Sequence, residues 1–321
     1  MTMAFRWVIL GAGSIAGKFA DAVRRAEDCE VVAVASRSLS RAEAFARAQG
    51  IPAAYDDYAR MLQEVRPDAA YIATTTNAHA ELTRLCIGSG VAVLCEKAMF
   101  MSSAEAQEVL SLARARGVFC MEAMWSRLLP AVREMKRQLD ADVIGEVKYA
   151  EFAIGWQAPT QPGNRFFDPA LGGGAAYDLM VYGYELADFF LGQPQEHMEA
   201  AVRWSDSGVD ETETVTLHWP QCMGTLSASI TVNLDERAVL FGTKGVLRMS
   251  KPHMAEGFTC TLNDGTITRW QDSATQNGFI YEVDEVMRCV RAGMLESPAV
   301  PHDLTIRCAK MFDRIMAVRE D

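Results

Sequence analysis

The sequence predicts an α/β protein with two domains. The first has a parallel sheet covered by helices, and the second is an α+β domain with an open, largely antiparallel sheet. In the first third of the chain, short apolar runs alternate with amphipathic segments, which is typical of right-handed β-α-β units. After residue 125, apolar runs follow one another without helices between them, which indicates an antiparallel or mixed sheet. A length of 321 residues also fits two domains better than one.

In the first domain, which we place at residues 1–125, the apolar runs predict strands at 7–10, 30–36, 69–74, 92–96 and 118–122. Helical periodicity predicts helices at 15–25, 40–49, 79–88 and 103–116. Gly88, Gly90 and Gly117 follow the last periodic residues, where a left-handed C-cap is needed.

In the second domain, which we place at residues 126–321, a helix is predicted at 130–139 and a strand at 147–155. Gly172-Gly173-Gly174 opens a helix that runs to about residue 191. Further strands are predicted at 199–205, 212–219, 224–233, 238–249, 258–262 and 266–271. Two helices, at 279–292 and 303–319, close the chain.

Composition excludes several classes of partner. The formal net charge of −11 disfavours nucleic acid and anionic membranes, since both attract basic surfaces. No run approaches the roughly 18 apolar residues that span a bilayer, and the N-terminus lacks the features of a signal peptide. The eight scattered cysteines form no C-x-x-C pair, so we expect reduced core thiols in a cytoplasmic protein. The five histidines show no H-x-H or H-E-x-x-H spacing, so no metal is expected.

A glycine-rich turn follows the first predicted strand and opens the first helix. It reads Gly11-Ala12-Gly13-Ser14-Ile15-Ala16, which is G-x-G-x-x-A. The first glycine permits a tight turn, the second lets the backbone approach a pyrophosphate, and the small last residue lets helix and strand pack closely. The helix N-terminus then offers N–H groups to phosphates. In this β-α-β context the turn predicts a Rossmann dinucleotide-binding domain with Gly11, Gly13, Ser14 and Ile15 at the cofactor.

The end of the second strand indicates which dinucleotide binds. NAD sites usually place Asp or Glu there to bond the ribose hydroxyls, whereas this chain has Ser36-Arg37. A guanidinium pairs with a 2′-phosphate that a carboxylate would repel. We therefore predict a preference for NADP, with NAD possible; the alternative is that Arg37 is a solvated surface arginine.

Polar residues follow two further strands at the edge where ligands bind in open parallel sheets. Glu96-Lys97 ends one strand, and Thr74-Thr75-Thr76-Asn77 follows another. Lys97 is placed for the site, although surface charge is the usual role of lysine. The hydroxyls of Thr74 and Thr75 and the amide of Asn77 suit contacts to ribose or nicotinamide. For Thr76 and Asn77, capping of the next helix is an equal alternative.

Asp178 and Tyr182 lie four residues apart on the glycine-opened helix, a spacing that puts both side chains on one face. A carboxylate and a phenol on one face can hold a substrate hydroxyl and move its proton. From spacing alone, a solvated helix surface is the better explanation of the pair.

Together these residues resemble the Gfo/Idh/MocA oxidoreductase family over nearly the whole chain. The segments that carry the resemblance are 11–16, 74–79, 96–97 and 172–178. Within the family the chain is most similar to the branch of dimeric dihydrodiol dehydrogenases and NADP-dependent D-xylose dehydrogenases. Segments 121–130, 167–172 and 278–282 carry that likeness, as does Tyr182 where many family members have His.

The resemblance implies roles for individual residues. Lys97 and Tyr182 would be the catalytic pair, with Asp178 beside them, and the lysine ammonium would favour the tyrosine phenolate. His79 and Glu96 would join the cofactor contacts. The substrate side would be lined by Trp125, Arg165 and Phe279; core packing for Trp125 and surface charge for Arg165 are the alternatives.

The chain departs from the family at one position. The family usually reads Glu-Lys-Pro, and this chain reads Glu96-Lys97-Ala98. A cis peptide costs roughly 2.5–4 kcal/mol before a residue other than proline, so a trans peptide with slightly altered lysine geometry is the alternative.

The function that follows is hydride transfer between NADP(H) and a small sugar or vicinal diol. Two alternatives are an NADPH-dependent osone or aldehyde reductase and an NADP-binding sensor without turnover. Because the sheet of the second domain has an exposed face that needs a cover, we expect a homodimer.

Overall fold

The computed structural model describes residues 4–161, 163–195 and 197–318. Its helices are α1 (Ser14–Arg25), α2 (Leu39–Gln49), α3 (Tyr58–Val65), α4 (His79–Gly88), α5 (Ser103–Arg116), α6 (Pro130–Asp140), α7 (Val181–Leu191), α8 (Ile280–Arg291) and α9 (His302–Ala317). Its strands are β1 (Phe5–Leu10), β2 (Cys29–Ala35), β3 (Ala53–Tyr55), β4 (Ala69–Ile72), β5 (Ala92–Glu96), β6 (Cys120–Ala123), β7 (Val147–Gly155), β8 (Met198–Trp204), β9 (Asp210–His218), β10 (Met223–Ser229), β11 (Arg237–Gly242), β12 (Gly245–Ser250), β13 (Gly257–Leu262) and β14 (Ile267–Gln271).

The chain divides into two compact units, one of residues 1–125 and 276–309 and the other of residues 126–275 and 310–321. This division has the predicted boundary at residue 125. The prediction placed all of residues 126–321 in the second domain, whereas residues 276–309 belong to the first unit. Residues 276–309 belong with the first unit because α8 packs on α1 and Asn277 bonds the carbonyl of Lys18 at 2.9 Å.

The first unit has a six-stranded parallel sheet in the order β3-β2-β1-β4-β5-β6. The strand order reverses between β1 and β4, which is the switch point where open α/β sheets bind ligands. Its core is strongly aromatic: Phe19 stacks on Tyr71 with ring centroids 3.8 Å apart, and Trp7 meets Phe19 edge-on.

The second unit has an eight-stranded sheet in the order β14-β13-β12-β11-β7-β10-β9-β8. Only β7 and β10 pair in parallel, and the other pairs are antiparallel. Helix α7 packs on β7 and β10. Strand β9 alternates between buried residues such as Val215 and Leu217 and more exposed threonines such as Thr214, as expected for a sheet with one covered face. The two sheets confirm the predicted fold class.

Several details differ from the prediction. Strand β3 and helix α3 were not predicted, because three strand residues and eight helix residues carry too little periodicity. The strand predicted at 238–249 is a hairpin of β11 and β12. The helix predicted to open at Gly172 begins only at residue 175, and its segment Ala176–Met180 is a π-helix.

Two further properties bear on the class of protein. All eight cysteines are free thiols, and seven of them are buried. Within the described parts of the chain, no helix combines the length and the apolar character needed to cross a membrane.

Candidate functional site

The glycine turn after β1 fits a dinucleotide phosphate group. Gly11 has φ +107°, and a Cβ there would lie 2.6 Å from the carbonyl oxygen of Ala73, so only glycine allows this turn against β4. Helix α1 then begins after Gly13 with no side-chain cap and no acidic residue in its first turn. Its first N–H groups are therefore available to an anion. Ser14 is exposed, and Ile15 is partly exposed.

The predicted cofactor residues Ser36 and Arg37 directly follow β2, beside this turn. Gly11 donates a backbone hydrogen bond to the carbonyl of Ala35 at 2.8 Å, which ties the turn to the end of β2. Ser36 is buried, whereas Arg37 is exposed. Burial raises the pKa of Tyr58, and the charge of nearby Arg37 opposes that rise. Arg37 thus follows β2 beside the glycine turn, and its contact with a 2′-phosphate stays a prediction.

The polar segment after β4 has a defined local structure. Thr75 donates a hydrogen bond to the side-chain oxygen of Asn77 at 2.7 Å, at the start of the short 3-10 turn Thr76–Ala78. Thr74 is half-buried, and Asn77 is exposed. His79 is buried, with Nδ1 2.9 Å from the carbonyl oxygen of Ala98 and Nε2 3.2 Å from that of Thr74. His79 therefore ties the segment after β4 to the segment after β5, and its contact with the cofactor stays a prediction.

Lys97 directly follows β5 and is partly exposed. Its peptide bond to Ala98 is cis, so the trans alternative raised by the missing proline is wrong for this structure. The preceding Glu96 is buried and accepts a short hydrogen bond from the Tyr71 hydroxyl. Burial, together with the charge of Glu96, raises the pKa of Tyr71 well above its usual value.

A second carboxylate, Glu122 on β6, holds the segment that follows Lys97. It accepts a hydrogen bond from the Met99 backbone at 2.9 Å and another from the Thr305 hydroxyl at 2.8 Å. Burial raises the pKa of Glu122, while these two bonds and the positive charge of Lys97 act to lower it. Glu122 is thus close enough to Lys97 for the two charges to interact. It also holds the backbone of Met99, two residues after Lys97.

Two of the predicted substrate residues meet within the first unit. The rings of Trp125 and Phe279 have centroids 5.1 Å apart and are inclined by 31°. Phe279 is buried and Trp125 half-buried, so together they form a small aromatic surface.

The second unit holds the other predicted residues. Tyr182 lies on α7, is buried, and has its ring centroid 5.5 Å from that of His253. Asp178 lies on the π-helical segment before α7, and its Oδ1 is 3.4 Å from Arg165 Nη2. Arg165 also covers the ring of Phe166 at 3.9 Å. Asp178 and Arg165 thus form an ion pair, and their roles toward a substrate stay predictions.

The helix that carries Asp178 and Tyr182 is held at its beginning by Asp210. The Ala176 N–H donates to Asp210 Oδ2 at 2.6 Å. Gly174 has φ +114°, and a Cβ there would collide with the same carboxylate, so both features require glycine at this position. Burial raises the pKa of Asp210 to about 7. Burial and the charge of Asp210 also raise the pKa of neighbouring Glu213.

Three residues of these arrangements, Glu122, Asp210 and His253, were not predicted. For Glu122 a signal exists, since a charged residue inside an otherwise apolar strand is rarely buried without a partner. Asp210 and His253 follow turn residues and carry no comparable signal.

Comparisons with known proteins agree with this geometry. Residues 5–124 match the model of the Gfo/Idh/MocA oxidoreductase family, described as an NAD-binding Rossmann fold, and residues 132–248 match the C-terminal domain of the same family. The trans-1,2-dihydrobenzene-1,2-diol dehydrogenase of Mus musculus is 35% identical over 308 residues, covering 93% of this chain and 92% of the relative. The enzyme of the same name from Homo sapiens is 34% identical over 309 residues, with the same coverage.

Among solved structures, a 3-ketoreductase from Actinomadura kijaniata in complex with NADP and TDP-benzene superposes with a TM-score of 0.88 at 24% identity and covers 97% of both chains. An aldose-aldose oxidoreductase from Caulobacter crescentus gives a TM-score of 0.88 at 20% identity, covering 97% of this chain and 96% of its own. At these identities the two structures support the fold. The family matches and the relatives go further: this chain belongs to the Gfo/Idh/MocA family of NAD(P)-dependent oxidoreductases.

Proposed function

We propose that this protein transfers hydride between NADP(H) and a hydroxyl or carbonyl carbon of a sugar or vicinal diol. The observation that carries the proposal is the position of Lys97, which follows β5 at the same sheet edge as the Gly11 turn and Arg37. A cation there can donate a hydrogen bond to an oxygen that gains negative charge as hydride leaves or arrives. The nicotinamide, when bound, supplies the hydride acceptor or donor.

In this proposal Tyr182 carries the proton of the substrate hydroxyl. Tyr182 is buried, and its hydroxyl would be the acid-base group. It lies on the helix whose first turn is held by the bond from the Ala176 N–H to Asp210. Asp178 and Arg165 would orient the substrate through their polar atoms, and Trp125 with Phe279 would pack against its apolar face. The names of the 34–35% identical relatives support a vicinal diol as the substrate class.

Reduction of NADP⁺ tests the proposal across a panel of cyclic trans-diols, aldoses and simple secondary alcohols, with NAD⁺ in parallel. Tyr182→Phe should lower kcat about 10²–10⁴-fold, the range of general acid-base catalysis. Tyr184→Phe is the matched control, since Tyr184 is a buried tyrosine of the same helix to which no role is assigned.

Turnover that survives Tyr182→Phe would support the oxidoreductase activity but would show that Tyr182 is not the proton carrier. Without turnover in this direction, NADPH and carbonyl substrates test the reductase alternative. NADPH binding without turnover in either direction would favour the sensor.

We also propose that the protein is a homodimer. The uncovered face of the second unit's sheet bears hydroxyls that pair with one another, such as Thr214 with Ser227 at 3.3 Å and Tyr149 with Thr225 at 3.1 Å. A pre-paired, ordered face is suited to association because little side-chain freedom is lost on contact. Light scattering at micromolar concentration should give twice the chain mass of 35.3 kDa, and a monomer there would refute the dimer.

A further inference from the structure

Two histidines and a glutamate come together at the end of the second unit's sheet. Glu199 is on β8, His218 ends β9, and His197 directly precedes β8. The register pairs Met198 with Leu217, so one step further along His197 lies across from His218. Their ring centroids are 5.7 Å apart, and one ligand atom from each of the three residues lies within 4.8 Å of the others.

The contacts inside this cluster leave a position for a cation. His197 Nε2 is 3.2 Å from Glu199 Oε1, and His218 Nε2 is 3.8 Å from the same oxygen. His218 Nε2 is shielded from solvent and has no hydrogen-bond partner among the residues that the structure describes. A buried imidazole nitrogen beside a carboxylate oxygen is costly unless a proton or a metal ion lies between them.

The donor set indicates which cation fits. Two imidazole nitrogens and one carboxylate oxygen are the ligands of zinc sites that keep an open position, and they suit Cu²⁺ and Ni²⁺ as well. Calcium and magnesium prefer oxygen ligands alone. The single negative charge of Glu199 reduces the charge of a bound divalent ion.

We propose that His197, Glu199 and His218 bind one zinc ion, with water in the remaining position. The ion ties β8, the last strand of the sheet, to β9, and it takes no part in hydride transfer. Sequence spacing predicts no metal here because the ligands are brought together by strand pairing rather than by one helix or loop. Since Glu199 is largely exposed, we expect micromolar affinity.

Titration calorimetry with Zn²⁺ alone tests the proposal on the full-length protein. One equivalent should bind, and His218→Ala should weaken binding by at least about tenfold, since even outer-shell changes at metal sites cost 10–100-fold. Glu256→Gln, which removes an exposed carboxylate elsewhere in the same unit, should bind as the wild type does. Unchanged Zn²⁺ binding in the His197→Ala, His218→Ala double variant would assign the metal to other groups, such as thiols, and overturn the proposal.

Electron paramagnetic resonance with Cu²⁺ identifies the ligands independently of stability. The wild type should show coupling to two nitrogens, and His197→Ala should show coupling to one. Absence of saturable Zn²⁺ binding, or nitrogen coupling that persists unchanged in His197→Ala, contradicts the site.

Discussion

The Asp210 carboxylate accepts a hydrogen bond from the Ala176 backbone N–H at 2.6 Å, so the helix that carries Tyr182 begins on a buried acid. Burial raises the pKa of that acid to about 7. A raised pKa means that the folded state holds a proton that the unfolded state has already released. The stability contributed by this proton is complete below about pH 4 and is lost as the pH rises to about 7.

Asp210→Asn keeps an acceptor for Ala176 and removes the titration. Between pH 5 and 7, the unfolding free energy of the wild type should fall more steeply than that of the variant, by at most about 1.4 kcal/mol per pH unit. In thermal unfolding, the variant's melting temperature should therefore fall less over this range. Asp264→Asn is the control, because hydrogen bonds from Thr266 lower the pKa of Asp264 and its effect is confined to acid pH. Equal pH dependence in wild type and Asp210→Asn would show that Asp210 does not titrate in this range.

Gly11→Ala should weaken cofactor binding severely. The added Cβ would lie 2.6 Å from the Ala73 carbonyl oxygen at a φ of +107°, so the turn must move away from β4. Strain of this kind costs about 1–3 kcal/mol, and a fluorescence titration with NADPH should show at least tenfold weaker binding. Gly50→Ala also has positive φ but meets no atom within 4 Å, so it should lose stability and keep its affinity. Equal affinities in both variants would count against the turn as the phosphate site.

Arg37 should determine the preference for NADP. A hydrogen bond to a charged group contributes about 1.5–3 kcal/mol, so Arg37→Ala should lower kcat/KM for NADP⁺ by roughly ten- to a hundredfold. Turnover with NAD⁺ should change little, because NAD⁺ lacks the 2′-phosphate. Arg47→Ala, which removes an exposed arginine from α2, serves as the control. A parallel loss with both cofactors would indicate a structural role for Arg37.

Glu122 should be required for the segment after Lys97 to keep its conformation. Glu122→Ala leaves the Met99 N–H and the Thr305 hydroxyl without their acceptor, at a cost of about 1–3 kcal/mol for each buried donor. Denaturant unfolding measures that loss, and Thr305→Val, which leaves the Met99 bond intact, should lose less. If Glu122→Ala unfolds at the same denaturant concentration as the wild type, the two bonds do not stabilise the fold.

The sequence was most informative where chemistry and local structure depend on consecutive residues. The Gly11–Ala16 turn predicts its own flanking strand and helix, and the helices at 79–88 and 103–116 were predicted at the bounds that the structure shows. The run of strands without helices between them after residue 125 likewise indicated the largely antiparallel sheet that the structure has.

Contacts between residues distant in the chain were beyond prediction. Asp210 reaches Ala176 across 34 residues, and Glu122 reaches Thr305 across 183, and nothing in the local pattern specifies either partner. The hairpin within 238–249 was missed although Gly242-Thr243-Lys244-Gly245, a turn-like segment, separates its two apolar runs. The position of Arg165 beside Asp178 depends on a loop whose conformation no periodicity determines.

Because residues 276–309 belong to the first compact unit, that unit is discontinuous along the chain. During synthesis on the ribosome, residues 1–125 emerge long before α8, the helix that covers α1. The parallel sheet of the nascent chain therefore lacks the helix that packs on α1 until residues 280–291 have been synthesised. A fragment that ends at residue 125 would remain in this incomplete state, whereas a fragment that joins 1–125 to 276–309 through a short linker contains every segment of the cofactor-binding unit.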